Sequence, residues 1–261
     1  MNTLNIRNPR TGICDFSLPV FSTKQVNEKA NVVRKNQQHW QQLTMQSRVD
    51  ILQELITGLS SHKEEITKAL LDDTGRYQES VLEVDVVING IKRWCEQAPN
   101  ILDISDEKSS EIPFLKIKQS FVPYDLVGII SPWNFPLLLS LVDAIPALLA
   151  GCSVLLKPSE VTSRFVTPFQ KILDHIPELS NVFTIVTGDG ATGQSVIEAV
   201  DLLCFTGSVA TGKKVAVACA ERFIPSFLEL GGKDPAIICE DADIPLAAKA
   251  LCGGRMGNAG Q

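Results

Sequence analysis

A chain of 261 residues is long enough for one large domain, or two ordinary ones, with a real core. Hydrophobic residues make up 44% and charged residues 21%, which excludes a disordered chain. A net charge of −6 argues against nucleic acid or an anionic membrane as partner, since both need a basic surface.

Seven cysteines (Cys14, Cys95, Cys152, Cys204, Cys219, Cys239, Cys252) are scattered without a Cys-x-x-Cys pair, and only three histidines accompany them. No structural metal site is expected from that spacing. Most of these thiols lie in apolar runs, as reduced thiols of a cytoplasmic protein do. The first residues lack the basic and apolar regions of a signal peptide. The richest apolar region, 137–156, is interrupted by Asp143, Pro146 and Gly151, so no membrane span is expected.

Residues 1–21 read as irregular, punctuated by Pro9, Gly12 and Pro19. Three or four amphipathic helices follow over 22–97. Val49, Leu52, Leu55, Ile56 and Leu59 recur at helical spacing, as do Val84, Val87, Ile88 and Ile91, and Gly75 is a stop. Pro99 and the polar segment 103–111 break the helices. Residues 115–122 then alternate as an exposed strand or hairpin arm.

From Leu126 apolar runs alternate with helical stretches. Strands are expected at 127–130, 153–156, 182–186, 202–205 and 224–228. Helices are expected at 137–149, 163–175, 192–199 and 209–220. Uninterrupted apolar strands are buried on both faces, so the fold class is α/β, an open, mostly parallel sheet with helices on both sides. A further strand at 236–239 and a helix from Pro245, capped by Asp243, follow.

Ligands of such sheets bind beyond the carboxyl ends of the strands. There the loops carry chemistry. Asn134 stands between Pro132 and Pro136; a rigidly held carboxamide is either an oxyanion donor or a helix cap. Lys157 and Glu160 flank Pro158 and either grip a polyol or form a surface ion pair. Residues 188–193 match G-x-G-x-x-G, but no acidic residue lies about twenty positions on, so a tight turn is favoured over a dinucleotide fingerprint. Gly207-Ser208 opens a helix that can hold a phosphate or be an ordinary cap. Glu229 ends an apolar run before Gly231-Gly232. It reads as a general base or as a solvated carboxylate at a turn.

Together these stretches resemble the NAD(P)-dependent aldehyde dehydrogenase superfamily. The matching residues are Ser131-Pro132-Trp133-Asn134-Phe135-Pro136, Lys157-Pro158-Ser159-Glu160, Phe205-Thr206-Gly207-Ser208, Glu229-Leu230-Gly231-Gly232-Lys233 and Gly257-Asn258-Ala259-Gly260-Gln261. Trp40, Arg48 and Thr74-Gly75 fit the same pattern. The resemblance covers essentially the whole chain, and the chain covers roughly the first half of the family's length.

The resemblance implies an aldehyde-dehydrogenase-like fold, truncated. Residues 1–111 and 125–230 would form the NAD-binding domain, 112–124 the first arm of an oligomerisation sheet, and 231–261 the start of a catalytic domain. Asn134 and Glu229 would be catalytic, as oxyanion donor and general base. Ser131, Trp133, Lys157, Ser159, Glu160, Gly207, Ser208, Leu230 and Gly231 would bind the cofactor. Glu160 suits a free 2′-hydroxyl, so NAD is expected over NADP. An aldehyde substrate is implied, and a homo-oligomer for the full-length family. The family's nucleophilic cysteine follows Gly-Gln-x-Cys and would fall two positions past Gln261. The 261 residues alone are therefore expected to be inactive. The competing expectation is a remnant that at most binds nucleotide or other subunits.

Overall fold

The structure is a computed structural model and describes residues 2–103, 108–112 and 114–260. Residues 104–107 of the expected polar break, Pro113 of the arm, and Gln261 of the last motif lie outside the described residues.

The first 21 residues are not irregular. They form a hairpin of β1 (Thr3–Arg7) and β2 (Cys14–Pro19), antiparallel, with Ile6 opposite Phe16. Leu4 and Ile6 alternate with polar residues, as do Phe16 and Leu18, and Gly12 turns the chain at φ +77°. Four helices follow: α1 (Thr23–Trp40), α2 (Met45–Ser61), α3 (Lys63–Thr74) and α4 (Tyr77–Leu102). Ser22 and Gln25 close a capping box on α1, and Gly75 ends α3 at φ +71°. Pro99 does not stop α4, which runs three residues beyond it; the expected break falls after Leu102. Among the described residues of this region there is a short antiparallel ladder, β3 (Lys108–Ser109) with β4 (Lys116–Ile117) of the arm, narrower than the strand expected over 115–122.

The α/β part then unfolds in order: β5 (Leu126–Ile130), α5 (Leu138–Leu141), α6 (Ala144–Leu149), β6 (Ser153–Lys157), α7 (Val166–Asp174), α8 (Pro177–Ser180), β7 (Phe183–Ile185), α9 (Gly190–Ala199), β8 (Leu202–Gly207), α10 (Val209–Glu221) and β9 (Ser226–Leu230). One helix was expected over 137–149; there are two. Pro146 cannot donate to the Val142 carbonyl and its ring would strike it, so the chain breaks at Val142–Asp143 and restarts with Pro146 in the first turn of α6.

The five strands β5 to β9 pair in parallel in the order β7-β6-β5-β8-β9. Alternate strand residues feed two cores. Val127, Ile129, Val154, Leu156, Leu202 and Cys204 pack with α2 to α8 on one face. Leu126, Leu155, Leu203 and Phe205 pack with α1, α9 and α10 on the other. Burial on both faces is why these strands read as continuous apolar runs.

At the edge of the sheet and beyond it, two expectations fail. The run ending at Leu228 is no buried strand: β9 is an exposed edge starting at Ser226, and Phe223 is 98% exposed at φ +57°. Only β8 pairs with β9 among the described residues, and its face away from α10 is open. Residues 236–239 form no strand, because no described strand lies beside them to share a ladder. The last helix is as expected: α11 (Ile244–Met256), capped by Asp243, which accepts from the Leu246 N–H at 3.0 Å. A short 3₁₀ turn, Gly257–Gly260, follows. No helix among the described residues is long and apolar enough to cross a membrane.

Candidate active site

In the strand order β7-β6-β5-β8-β9 the chain winds outward from β5 to β7, then crosses back to β8 and β9. The loops after β5 and β8 therefore part at the carboxyl edge of the sheet, which opens a crevice there. A cleft of about 930 Å³ occupies this place. All eleven residues singled out from the sequence line it: Ser131, Trp133, Asn134, Lys157, Ser159, Glu160, Gly207, Ser208, Glu229, Leu230 and Gly231.

The Asn134 loop is held from several sides. The Ser131 hydroxyl turns inward to share a 2.7 Å hydrogen bond with Ser140, whose hydroxyl donates to the Pro136 carbonyl at 2.6 Å. The side chain of Ser131 thus holds the loop, while the residue itself lines the cleft. The Trp133 carbonyl accepts from Thr162, leaving the indole 43% exposed. Helix α4 holds the loop at both ends. Arg76 donates to the Asn134 carbonyl and to the Asn258 side chain, and lies over the Phe135 ring. Glu83, 3% exposed, accepts from the Leu137 and Leu138 N–H groups at 2.8 and 2.9 Å. Asn134 Oδ1 accepts from the Phe135 N–H at 3.2 Å. That fixes the carboxamide by its oxygen and leaves its NH₂ as the group to donate.

Neither Arg76 nor Glu83 was found from the sequence. Glu83 does carry a signal: it is spaced by four from Val87 and again from Ile91, so a carboxylate sits on an apolar stripe. Burial pushes its carboxyl up to about 7, against the pull of the two N–H groups and Arg76.

On the next strand Lys157 is 3% exposed, with its ammonium donating to the Pro158 carbonyl at 3.2 Å and to Glu160 at 3.1 Å. Glu160 is exposed. The pair is thus a buried donor steering an exposed acceptor, not a surface ion pair of two solvated groups. Ser159 Oγ accepts from the Val161 N–H at 3.3 Å and tightens the same loop.

Ser208 caps α10 by accepting from the Thr211 N–H at 3.2 Å. A Cβ on Gly207 would come within 2.6 Å of the Phe205 ring, so this entry to the helix needs glycine. The first turn of α9 also reaches the cleft through Gly190, Gly193 and Gln194. The literal G-x-G-x-x-G match was the available signal for this wall. Gly188, at φ +156°, makes the tight turn expected of it: a Cβ would collide with Thr192.

Glu229 stands opposite Thr206 near the end of β9 and is exposed. Its electrostatic neighbour is Asp143, whose carboxyl is held above the usual carboxylate range first by burial and then by Glu229. Leu230 covers Gly212 of α10, where a Cβ would meet it at 2.4 Å, and Gly231 is open.

No cysteine lines the cleft among the described residues. Cys95, Cys152, Cys204 and Cys219 are buried, and Cys14, Cys239 and Cys252 are exposed elsewhere. Burial pushes the Cys95 and Cys152 thiols up to about 11 and that of Cys204 to about 12, so all three are protonated at neutral pH.

A dinucleotide fits this donor set. A buried ammonium beside an exposed carboxylate can bind a vicinal diol, and the open first turns of α9 and α10 can accept a pyrophosphate between them.

The profile of the aldehyde dehydrogenase family matches residues 1–261. Lactaldehyde dehydrogenase of Escherichia coli is 31% identical over 99% of this chain and 54% of its own length. A putative succinate-semialdehyde dehydrogenase [NADP(+)] of Mycolicibacterium smegmatis is 31% identical over 94% of this chain and 48% of its own. The solved structure of a putative aldehyde dehydrogenase from Anabaena variabilis superposes with a TM-score of 0.96 at 48% identity, over 98% of this chain and 55% of that one. The chain thus spans about half the length of the relatives it matches. With the match running from the first residue to the last, on an open parallel sheet with a cleft at its switch point, this chain belongs to the aldehyde dehydrogenase family.

Proposed function

We propose that the cleft holds an NAD-type dinucleotide, and that these residues supply the cofactor-binding part of an enzyme that oxidises aldehydes to carboxylic acids. In this reading residues 1–111 and 125–230 form the cofactor domain. Residues 112–124 begin an oligomerisation sheet, and 231–261 begin a catalytic domain. The observation that carries it is the convergence of the eleven residues, drawn from four separate loops, on one cleft.

Lys157 donates to a ribose hydroxyl, and Glu160 accepts from the ribose diol. The N–H groups that open α10 at Gly207-Ser208 face the pyrophosphate, and Trp133, Ser131, Leu230 and Gly231 wall the remainder. When bound, the nicotinamide ring supplies the hydride acceptor. Asn134 donates its NH₂ to the oxyanion that forms as a nucleophile adds to the aldehyde. Glu229 takes a proton from the nucleophile or from the water that releases the acid. The negative charge of Glu160 would repel a 2′-phosphate, so NAD is preferred. A relative is named as a putative NADP(+) enzyme, so the preference proposed here rests on Glu160 and not on the family.

Because no thiol faces the cleft, the nucleophile is external to these residues, and the 261-residue chain forms no NADH from aldehydes by itself. The same observation favours a second reading, a nucleotide-binding subunit without chemistry of its own.

Calorimetric titration with NAD and NADP tests the cofactor assignment. The wild-type chain binds NAD more tightly than NADP. Lys157→Met weakens NAD by about tenfold or more through loss of a charge-assisted donor, and Glu160→Gln narrows the gap between the two. Failure of the folded chain to bind either nucleotide overturns the assignment. Equal affinity for both removes the NAD preference alone.

A further inference from the structure

The loop that carries Ser159 and Glu160 is exposed at only two positions, Glu160 and Val161. Pro158 before them is buried, and so is every residue from Thr162 to Val166 after them. Glu160 therefore sits on a short span between two fixed points, and the second point helps decide where its carboxylate reaches. Thr162 is one tie at that point, donating to the Trp133 carbonyl at 3.0 Å. Arg164 is the other. Its backbone N–H donates to Asp73 Oδ2 at 2.8 Å and its Nε to Asp73 Oδ1 at 2.6 Å. Asp73 lies in the last turn of α3 and is buried.

The other side of the same guanidinium meets the N-terminal hairpin. Nη2 donates to the Ile6 carbonyl of β1 at 3.3 Å and to the Asp15 carboxylate of β2. The guanidinium carbon lies 5.1 Å from the centre of the Phe16 ring, and Asn8 donates to the second Asp15 oxygen at 3.1 Å. A guanidinium is planar and offers its donors in a fixed fork, so carboxylates from two separate elements set its plane. Arg164 thus joins α3, the hairpin and the Glu160 loop, although neither it nor Asp73 nor Asp15 lines the cleft.

We propose that Arg164, clamped between Asp73 and Asp15, is a positioning residue that aims Glu160 at the ribose and so sets the discrimination between NAD and NADP. The proposal rests on the cofactor assignment of the cleft. Glu160 accepts from the ribose diol and repels a 2′-phosphate, and both effects depend on where its carboxylate stands. Loosening the clamp weakens NAD and relieves NADP of the repulsion. The hairpin acts in this way on a cofactor from outside the cleft.

Calorimetric titration of the full 261-residue chain with NAD and with NADP reads the ratio of the two affinities. Burial pushes the Asp73 carboxyl up to about 7 against the pull of Arg164, so the titrations belong at about pH 8, where it is ionised. Arg164→Lys and Asp15→Asn are each expected to lower the preference for NAD about threefold or more. In a Glu160→Gln background the same substitutions should leave the ratio unchanged, because they act through the Glu160 carboxylate. A residue that merely held the hairpin in place would weaken both nucleotides by one factor. Thermal unfolding checks the fold; should Arg164→Lys not fold, Asp15→Asn decides, since its side chain is 40% exposed. The proposal is overturned, and the cofactor assignment kept, if both nucleotides weaken alike, if neither affinity changes, or if the shift in ratio persists in the Glu160→Gln background. A wild-type chain that binds neither nucleotide overturns the cofactor assignment and this proposal with it. One that binds both equally overturns this proposal while the nucleotide site stands.

Discussion

Glu83 holds the far end of the Asn134 loop. It accepts the Leu137 and Leu138 N–H groups from inside the protein, and burial holds its carboxyl at about 7. A carboxyl whose folded pKa lies above its unfolded value binds more protons folded than unfolded between the two. Its stabilising contribution is full below about 4.5 and is lost as pH rises towards 7. At about 1.4 kcal/mol per unit the loss is about 3 kcal/mol. Glu83→Gln keeps an acceptor oxygen for both N–H groups and carries no charge at any pH. Denaturant unfolding at pH 5 and pH 8 should show the wild type losing stability over this range and the variant losing less, by up to that amount. An identical pH dependence in both proteins would remove Glu83 as the titrating group.

At the scale of elements, α4 works as a bracket. Arg76 at its start and Glu83 two turns on hold the two ends of a loop more than fifty residues away. Helix α2 packs on α7 at Gly58, where a Cβ would come within 2.4 Å of the Ile172 Cγ2. Ile172 is buried and β-branched, so it has little freedom to yield. Gly58→Ala gains about 1 kcal/mol of helix propensity and incurs overpacking of about 1–3 kcal/mol. A net destabilisation of up to about 2 kcal/mol is expected by urea titration. A stabilised variant would mean that α2 and α7 do not meet this closely. The edge strand β9 is the opposite case. Among the described residues it has a partner on one side only, so Glu229 is set by strand register and not by burial.

For the molecule as a whole, order is uneven along the chain. Residues 2–103 and 126–230 build two cores around one sheet. Residues 231–256 bury no side chain and are exposed apart from half-buried Ala242 and Ala247, with Ile237, Leu246 and Met256 open to solvent. The arm exposes Phe114, Phe121 and Val122. Backbone without burial or a ladder opens readily. Limited trypsin treatment should therefore cut after Lys118 and Lys233 before any site within α1 to α4, as mass spectrometry of the first fragments would show. First cuts inside those helices would contradict this division.

Much of this was legible in the residues themselves. The strands at 126–130, 153–157 and 202–207 are apolar without interruption because both faces are buried, and such runs need no partner to be recognised. Gly75, Asp243 and Ser208 mark helix ends by local stereochemistry, and the residues of the cleft stand where strands stop. What failed to show depends on neighbours distant in sequence. The hairpin at 3–19 is held by pairing that its punctuation concealed. The strand expected at 236–239 has no described strand beside it, and the exposure of Glu229 follows from β9 lying at an edge. The sequence alone determined the fold class, the loops that carry chemistry and the family resemblance, because hydrophobic period and turn chemistry are local properties. The tertiary structure alone decided that those loops share one cleft and that Arg76 and Glu83 hold the Asn134 loop, because each is a relation between groups that only packing brings together.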